Sequence, residues 1–387
     1  PSVVGDASVL FSEARIAYES VKALDPLGAY ADNAQYYVGK SYYDEANALT
    51  NSVEQMNGFE QAALAWEAFD LLTGSYKDSS YVHDGLYFLG RSRQQQGELL
   101  LKDPTLIIVD DAAVTFTKAR AAFQGSITAN SAGIYADNAQ YQIGATYYDE
   151  ANDQAKSAAQ EDAGGNTAIA LSLYTSSQEN INSAINAFEQ GFLTLNAAYP
   201  VSSYADNAQY YLGRSYHIAA DIPPSYRVDL SANIDGINFT LVTYSDARAG
   251  YLPLTTDPKF ATSAWIDNAF YEIGNTYYAE AESAVDNPVK EAAFNNALEN
   301  YVNVVSHYPS SIRFDNAVFQ IAWIYHLGEY CAMELEWFNY HATLTNVSAA
   351  NAAIRDSHLA DLAVVPGSHV CPATPALVLS IYNAPPI

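Results

Sequence analysis

The ten residues from Tyr30 to Gly39 (Tyr-Ala-Asp-Asn-Ala-Gln-Tyr-Tyr-Val-Gly) return almost unchanged at Tyr135 to Gly144 and at Tyr204 to Gly213. Looser copies run from Tyr81 to Gly90, Trp265 to Gly274 and Arg313 to Ala322. A word that recurs in this way restricts the chain to a repeat architecture, in which each copy buries its apolar face only against its neighbours. Taking the Asp as the register gives positions 32, 83, 137, 206, 267 and 315, with His83 standing for Asp in the second copy. Four residues later every copy is aromatic (Tyr36, Tyr87, Tyr141, Tyr210, Tyr271, Phe319), and at seven it is small (Gly39, Gly90, Gly144, Gly213, Gly274, Ala322). These offsets share one helical face, where a small residue between rings lets a neighbouring helix come close. In three copies Gln follows the register Asp by three residues (Asp32/Gln35, Asp137/Gln140, Asp206/Gln209), which predicts a capping box at the helix start.

A second helix precedes each register. It is marked by a small or apolar residue followed four later by an aromatic: Ala14/Tyr18, Ala65/Phe69, Ala119/Phe123, Phe188/Phe192, Ala247/Tyr251 and Ala297/Tyr301. The distance from that aromatic to the register is 14 residues in five copies and 16 in the copy at Tyr251. A near-constant distance means a fixed helix-turn-helix block, its turn marked by Pro26, Pro200 or Pro309.

On these residues the chain resembles the tetratricopeptide repeat. Val38-Gly39 with Tyr42, and Ala297, Tyr301 and Pro309, fall on that repeat's helix A and helix B positions. The word from Tyr204 to Tyr216 is similar to the repeats of periplasmic cell-envelope proteins, the Tol-Pal-associated coordinator and the outer-membrane assembly lipoproteins. The resemblance covers roughly residues 7 to 345 and implies helix pairs stacked into a superhelix that binds other proteins. The expected fold is therefore all-α, a solenoid of six B-then-A helix pairs over residues 1–345, with a cap and an extended apolar tail over 346–387. The repeats run 48 to 69 residues, against about 34 in the family. The surplus falls between helix A and the following helix B, which places lengthened helices and loops on one rim. One insertion differs in kind: Tyr226 to Val242 carries β-branched and aromatic residues around Asp235-Gly236, the signature of a hairpin.

Composition narrows the function. With 17 Lys+Arg against 44 Asp+Glu the formal charge is −27, which makes nucleic acid and anionic lipid poor partners. No stretch of about 18 apolar residues is present to span a bilayer. The chain starts Pro1-Ser2-Val3-Val4, which reads as a processed N-terminus in an oxidising compartment. Cys331 and Cys371 are then expected to form a disulfide. Asn238-Phe239-Thr240 and Asn346-Val347-Ser348 are sequons, meaningful only if the source glycosylates.

Chemistry is sparse. Nucleotide loops, nucleophile elbows and paired Cys or His metal motifs are missing from the sequence, so no catalytic residue, metal or cofactor is expected. His83, His217 and His326 stand at repeat positions usually held by Asp or Tyr and read as structural. Tyr-Tyr-Asp-Glu-Ala-Asn at 42–47 and 147–152 could offer carboxylates to Ca²⁺, but it lacks the alternating oxygen spacing of a Ca²⁺ loop and reads as a solvated helix end.

Two non-enzymatic functions fit: a structural subunit that polymerises head to tail outside the cell or on its surface, or a periplasmic adaptor that holds another envelope protein. The first is favoured by the ends. Leu10, Ala14, Tyr18 and Val21 mark a helix B with no helix A before it. Trp337 and Phe338 mark a seventh helix B, and the tail carries Leu377, Leu379, Ile381 and Tyr382. An exposed strand of that kind would be an aggregation hazard alone and an anchor on a second copy, and unlike ends that do not close give filaments.

Overall fold

A computed structural model describes residues 3–26, 28–106, 110–194, 197–233, 235–364 and 375–384. Among them are fourteen α-helices and no β-strand: α1 (Val3–Leu24), α2 (Ala31–Ala48), α3 (Ser52–Trp66), α4 (Val82–Lys102), α5 (Ala112–Ala129), α6 (Ala136–Ala163), α7 (Thr167–Phe188), α8 (Ala205–Asp221), α9 (Tyr244–Thr256), α10 (Ile266–Ser283), α11 (Asn287–His307), α12 (Phe314–Leu327), α13 (Cys331–Ala342) and α14 (Ala349–Val364). The odd-numbered helices through α13 are the B helices and the even-numbered ones through α12 the A helices, which is the expected order of six pairs plus a seventh B. The chain forms two compact units, Pro1–Tyr211 with Ile222–Leu241, and Leu212–Asp221 with Val242–Ile387. Within each, consecutive helices pack as the helical hairpins of a solenoid.

The small residue seven after the register sets the contact between an A helix and the B helix that follows. A Cβ added at Gly39, Gly90 or Gly144 would stand under 3.0 Å from the rings of Trp66, Phe123 or Phe188 in the first unit. In the second, Gly213 and Gly274 face Tyr251 and Tyr301 in the same way. Three of these rings are the expected helix B markers. Trp66 and Phe188 instead precede their markers by three and four residues, because there the B helix ends in a 3₁₀ turn (Glu67–Phe69) or a π turn (Glu189–Leu193), which rotates the marker off the contact.

The register Asp is not a helix cap. Tyr30 and Tyr135 hold the N-cap positions without a side-chain bond, so Asp32 and Asp137 lie inside the first turn. Each accepts instead from a serine in the turn of the next repeat, Ser79 Oγ to Asp32 at 2.5 Å and Ser202 Oγ to Asp137 at 2.7 Å. The partner Gln donates to a carbonyl of the next B helix, Gln35 to Ala65 at 2.5 Å and Gln140 to Ala187 at 3.0 Å. The word is thus a staple between repeats. Its aromatics do the same: the Tyr two before a register packs on the Tyr four after the preceding one, Tyr81 tilted on Tyr36 and Tyr135 and Tyr204 stacked on Tyr87 and Tyr141, at 5.2, 4.4 and 5.3 Å between ring centroids. Arg313 takes that place over Tyr271. These inter-repeat pairs use seven of the chain's 31 Tyr.

His83 shows what happens when the staple changes. Its Nε2 accepts from the Tyr135 backbone N–H at 3.2 Å, the group that in other repeats donates to the turn serine, as Tyr81 does to Ser79 and Tyr204 to Ser202 at 3.0 Å. That leaves the ring proton on Nδ1, 3.0 Å from the Ser126 carbonyl. The imidazole replaces carboxylate and serine together, and the turn residue is Gly133, where a Cβ would strike the ring. His83 is structural, as expected. His83→Asp and Gly133→Ser are each expected to destabilise by about 1–3 kcal/mol, through an unpaired amide and a clash respectively. Made together they recreate the Asp–Ser pair, so a urea double-mutant cycle should give a favourable coupling of about 1 kcal/mol or more. Additive losses would show the two positions to be independent.

Most of the surplus length is helix. Four A-to-B connections are only three residues long (49–51, 164–166, 284–286 and 328–330), and the long ones are 103–111 and 222–243. The expected hairpin in the latter is reduced to one antiparallel bridge between Asp229 and Asn238, with Asp235 at φ 54° in its turn. A stripe of amides on α7 replaces the ladder: Gln178 binds the Tyr226 carbonyl and the Val228 N–H, Asn182 the Ile237 N–H, and Asn186 the Asp235 carbonyl, at 2.9 to 3.1 Å. Nor are the carboxylates of the Tyr-Tyr-Asp-Glu-Ala-Asn word solvated ends. Glu45 and Glu150 pair with Arg15 and Arg120 of the preceding B helices at 2.6 and 2.9 Å, and those guanidinium groups lie over Tyr42 and Tyr147 at 4.2 and 4.1 Å. Arg248, Tyr277 and Glu280 repeat the trio in the second unit.

Candidate functional site

The residues that the sequence singles out near its end meet in one groove of the second unit. The 375–384 segment is extended and makes no strand pairing, so its backbone groups need partners from side chains, and α11, α12 and α13 supply them. Asn295 of α11 donates to the Val378 carbonyl at 3.0 Å and accepts from the Ser380 N–H at 2.6 Å. Tyr325 of α12 donates its hydroxyl to the Ser380 carbonyl at 2.9 Å and accepts from the Tyr382 N–H at 2.7 Å. Tyr330 accepts from the Leu379 N–H, Trp337 of α13 donates its indole N–H to the Tyr382 carbonyl at 2.6 Å, and Glu336 accepts from the Ala384 N–H.

Alternation does the rest. Leu377 and Leu379 point into the core and are 6% exposed each, whereas Val378 between them faces out at 72%; the alternation breaks at Ile381, which is 63% exposed. Gly328, which ends α12, makes room for Leu379: a Cβ there would stand 2.5 Å from its Cδ1. Burial holds the Tyr325 hydroxyl at a pKa of about 12, so it stays protonated and able to donate to Ser380.

The sequence expectation of an exposed strand is therefore not what this chain shows. The segment is seated on its own unit, because aromatic hydroxyl and indole groups on α12 and α13 reach its backbone. Trp337 and Phe338, named as assembly residues, are fully buried rather than on a surface, Trp337 bonding the segment and Phe338 packing on Phe319. On α1, Ala14 and Tyr18 are half-buried, Tyr18 stacking on Tyr37 at 5.4 Å. The opposite side of α1 is apolar and open, with Val9, Leu10, Ile16 and Leu24 all more than half exposed and Val21 at 40%. The backbone clamp on 375–384 was not read from the sequence; the one signal was the cluster Tyr325, Tyr330 and Trp337 opposite an alternating apolar tail.

Of the remaining named residues, Asn346 is exposed between α13 and α14, and Asn238 accepts from the Thr240 hydroxyl at 2.5 Å. Cys331 opens α13, while Cys371 lies outside the described residues. No helix among the described residues is long and apolar enough to cross a membrane. A cleft of about 630 Å³ in the first unit is lined by Leu72, Leu86, Leu89 and Ala122 and by Glu67, Asp70, Arg93 and Lys118; Arg93 is paired with Glu60 and Glu67, and Lys118 with Asp110. No family model matches this chain, and no curated protein is significantly similar to it.

Proposed function

We propose that this chain is a non-enzymatic structural subunit that polymerises with copies of itself outside the cell, the 375–384 segment of one copy seating in the α11–α13 groove of another. The observation that carries this reading is the way the segment is held. Its contacts are the buried Leu377 and Leu379, the partly buried Tyr382 and Ala384, and a set of side-chain-to-backbone bonds, all of which a second copy's segment would make identically. Exchange between copies, with the expected Cys331–Cys371 disulfide then formed between copies as well, alters connectivity without altering contacts, the route by which swapped assemblies form at low cost. The open apolar side of α1 offers a further surface to a neighbour. A charge of −27 would keep such fibres from clumping laterally.

The test compares the full chain with one lacking 375–387 and with Asn295→Ala, by sedimentation and negative-stain microscopy at high concentration. Polymers of the full chain that are lost or shortened in both variants support the reading. It fails if all three stay monodisperse monomers.

The second reading, an adaptor, is favoured by the first-unit cleft, whose apolar walls suit an apolar side chain of a client peptide. Under that reading the purified chain stays monomeric, and Leu89→Glu lowers client capture while deletion of 375–387 does not.

A further inference from the structure

Three helices of the second unit each bring one metal-ligating side chain to a common point. His326 lies in the last turn of α12, Glu334 in the first turn of α13 and His358 in the middle of α14. Their ligand atoms all lie within 4.8 Å of one another. His326 Nδ1 is 3.0 Å and His358 Nδ1 3.5 Å from the same oxygen, Glu334 Oε1. Donors about 2.0–2.2 Å from a tetrahedral ion stand roughly 3.3–3.5 Å apart, so the two His–Glu spacings are close to those of one ion, and the imidazole–imidazole spacing, within 4.8 Å, closes on it by side-chain rotation.

The surroundings fit the same reading. Glu334 is fully buried, and a carboxylate in that position requires a compensating positive charge close by. The two imidazoles are held by aromatic walls: His358 stacks on Phe338 at 5.7 Å and meets the edge of Trp323 at 5.4 Å, and Trp323 also packs on His326 at 5.0 Å. About a quarter of each imidazole side chain remains open to solvent, which provides an entry path.

We infer that His326, Glu334 and His358 form a binding site for a divalent transition-metal ion of the zinc class. Two imidazole nitrogens and one carboxylate oxygen are a borderline donor set, suited to Zn²⁺ and unsuited to Ca²⁺ or Mg²⁺, which take oxygen ligands. Three protein ligands leave a fourth position to water or another group. The ion would tie α14 to α12 and α13, whichever way the chain assembles.

The experiment is equilibrium dialysis of the EDTA-stripped full chain against Zn²⁺, Ca²⁺ and Mg²⁺ separately, together with the visible spectrum of the Co²⁺-loaded protein. We expect about one Zn²⁺ per chain, intense d–d bands from tetrahedral Co²⁺, and a thermal midpoint raised by about 5 °C at saturating Zn²⁺. Ca²⁺ and Mg²⁺ should do neither. Glu334→Gln and the pair His326→Gln with His358→Gln should each lose the site, and near-ultraviolet circular dichroism of the variants shows whether they are folded. Should a variant not fold, the native protein's stoichiometry and Co²⁺ spectrum decide alone. Zinc uptake well below one ion per chain, octahedral Co²⁺ bands, or unchanged uptake in folded variants would overturn the assignment.

Discussion

Gly90→Val is expected to cost about 3 kcal/mol or more and to lower the denaturant midpoint of the chain sharply. The reason is local and steric. A Cβ at this position already stands under 3.0 Å from three atoms of the Phe123 ring, and that ring is fully buried with nowhere to move. Valine adds two methyl groups beyond that Cβ, so α4 and α5 must separate along their contact. Phe123→Ala removes the obstacle and leaves a cavity of its own. The double variant should therefore lose less than the two single losses together, a coupling of about 1–3 kcal/mol. Gly125→Ala is the control: its Cβ would meet only Leu86, at 3.3 Å, and the change should stay within about 1 kcal/mol. If Gly90→Val is as mild as Gly125→Ala, the ring-on-glycine contact is not what fixes the spacing of these helices.

Trp337→Ala should cost about 3–5 kcal/mol by the emptied volume alone, and it also removes the indole donor to the Tyr382 carbonyl. The second loss has its own readout. The 375–384 segment then keeps Asn295 and Tyr325 as its main clamps, and limited proteolysis should cut it faster than in the native chain, whereas Trp337→Phe, which fills most of the volume without the donor, should give faster cleavage with a smaller loss of stability. Equal protection of the segment in all three proteins would show that the indole bond does not hold it.

The helices were legible because two offsets, four and seven residues after the register, carry the packing in every copy. Tyr36 and Gly39, or Tyr271 and Gly274, need no partner on the page to be seen as one face. What was not legible is what those residues touch in the next repeat. Asp32 and Gln35 have the spacing of a capping box, yet the atoms that satisfy them, Ser79 Oγ and the Ala65 carbonyl, are 47 and 30 residues away. Arg15, Tyr42 and Glu45 were hidden for the same reason, since a cation on one helix finds its ring and carboxylate on another. The surplus between repeats reads in part as loop because Ala-rich, polar stretches such as 153–163 carry few apolar markers; their place is settled by the length of the helix they face. The groove for 375–384 was the hardest to foresee, being built from side chains on three helices that read separately as ordinary core.

The exchange at His83 and Gly133 bears on how such a chain can be inherited. A duplication that copied the third repeat into the second position would set an Asp against a glycine turn and leave the Tyr135 amide without its acceptor, and the reverse copy would set an imidazole against a serine. Either product starts with a faulty joint, so recombination here succeeds only when the crossover carries both sides of the joint at once. Residues 83 and 133 are in that sense one heritable character, and an array growing by unequal crossing-over must keep the second and third repeats as a linked pair while the joints built from Asp and Ser remain free to multiply.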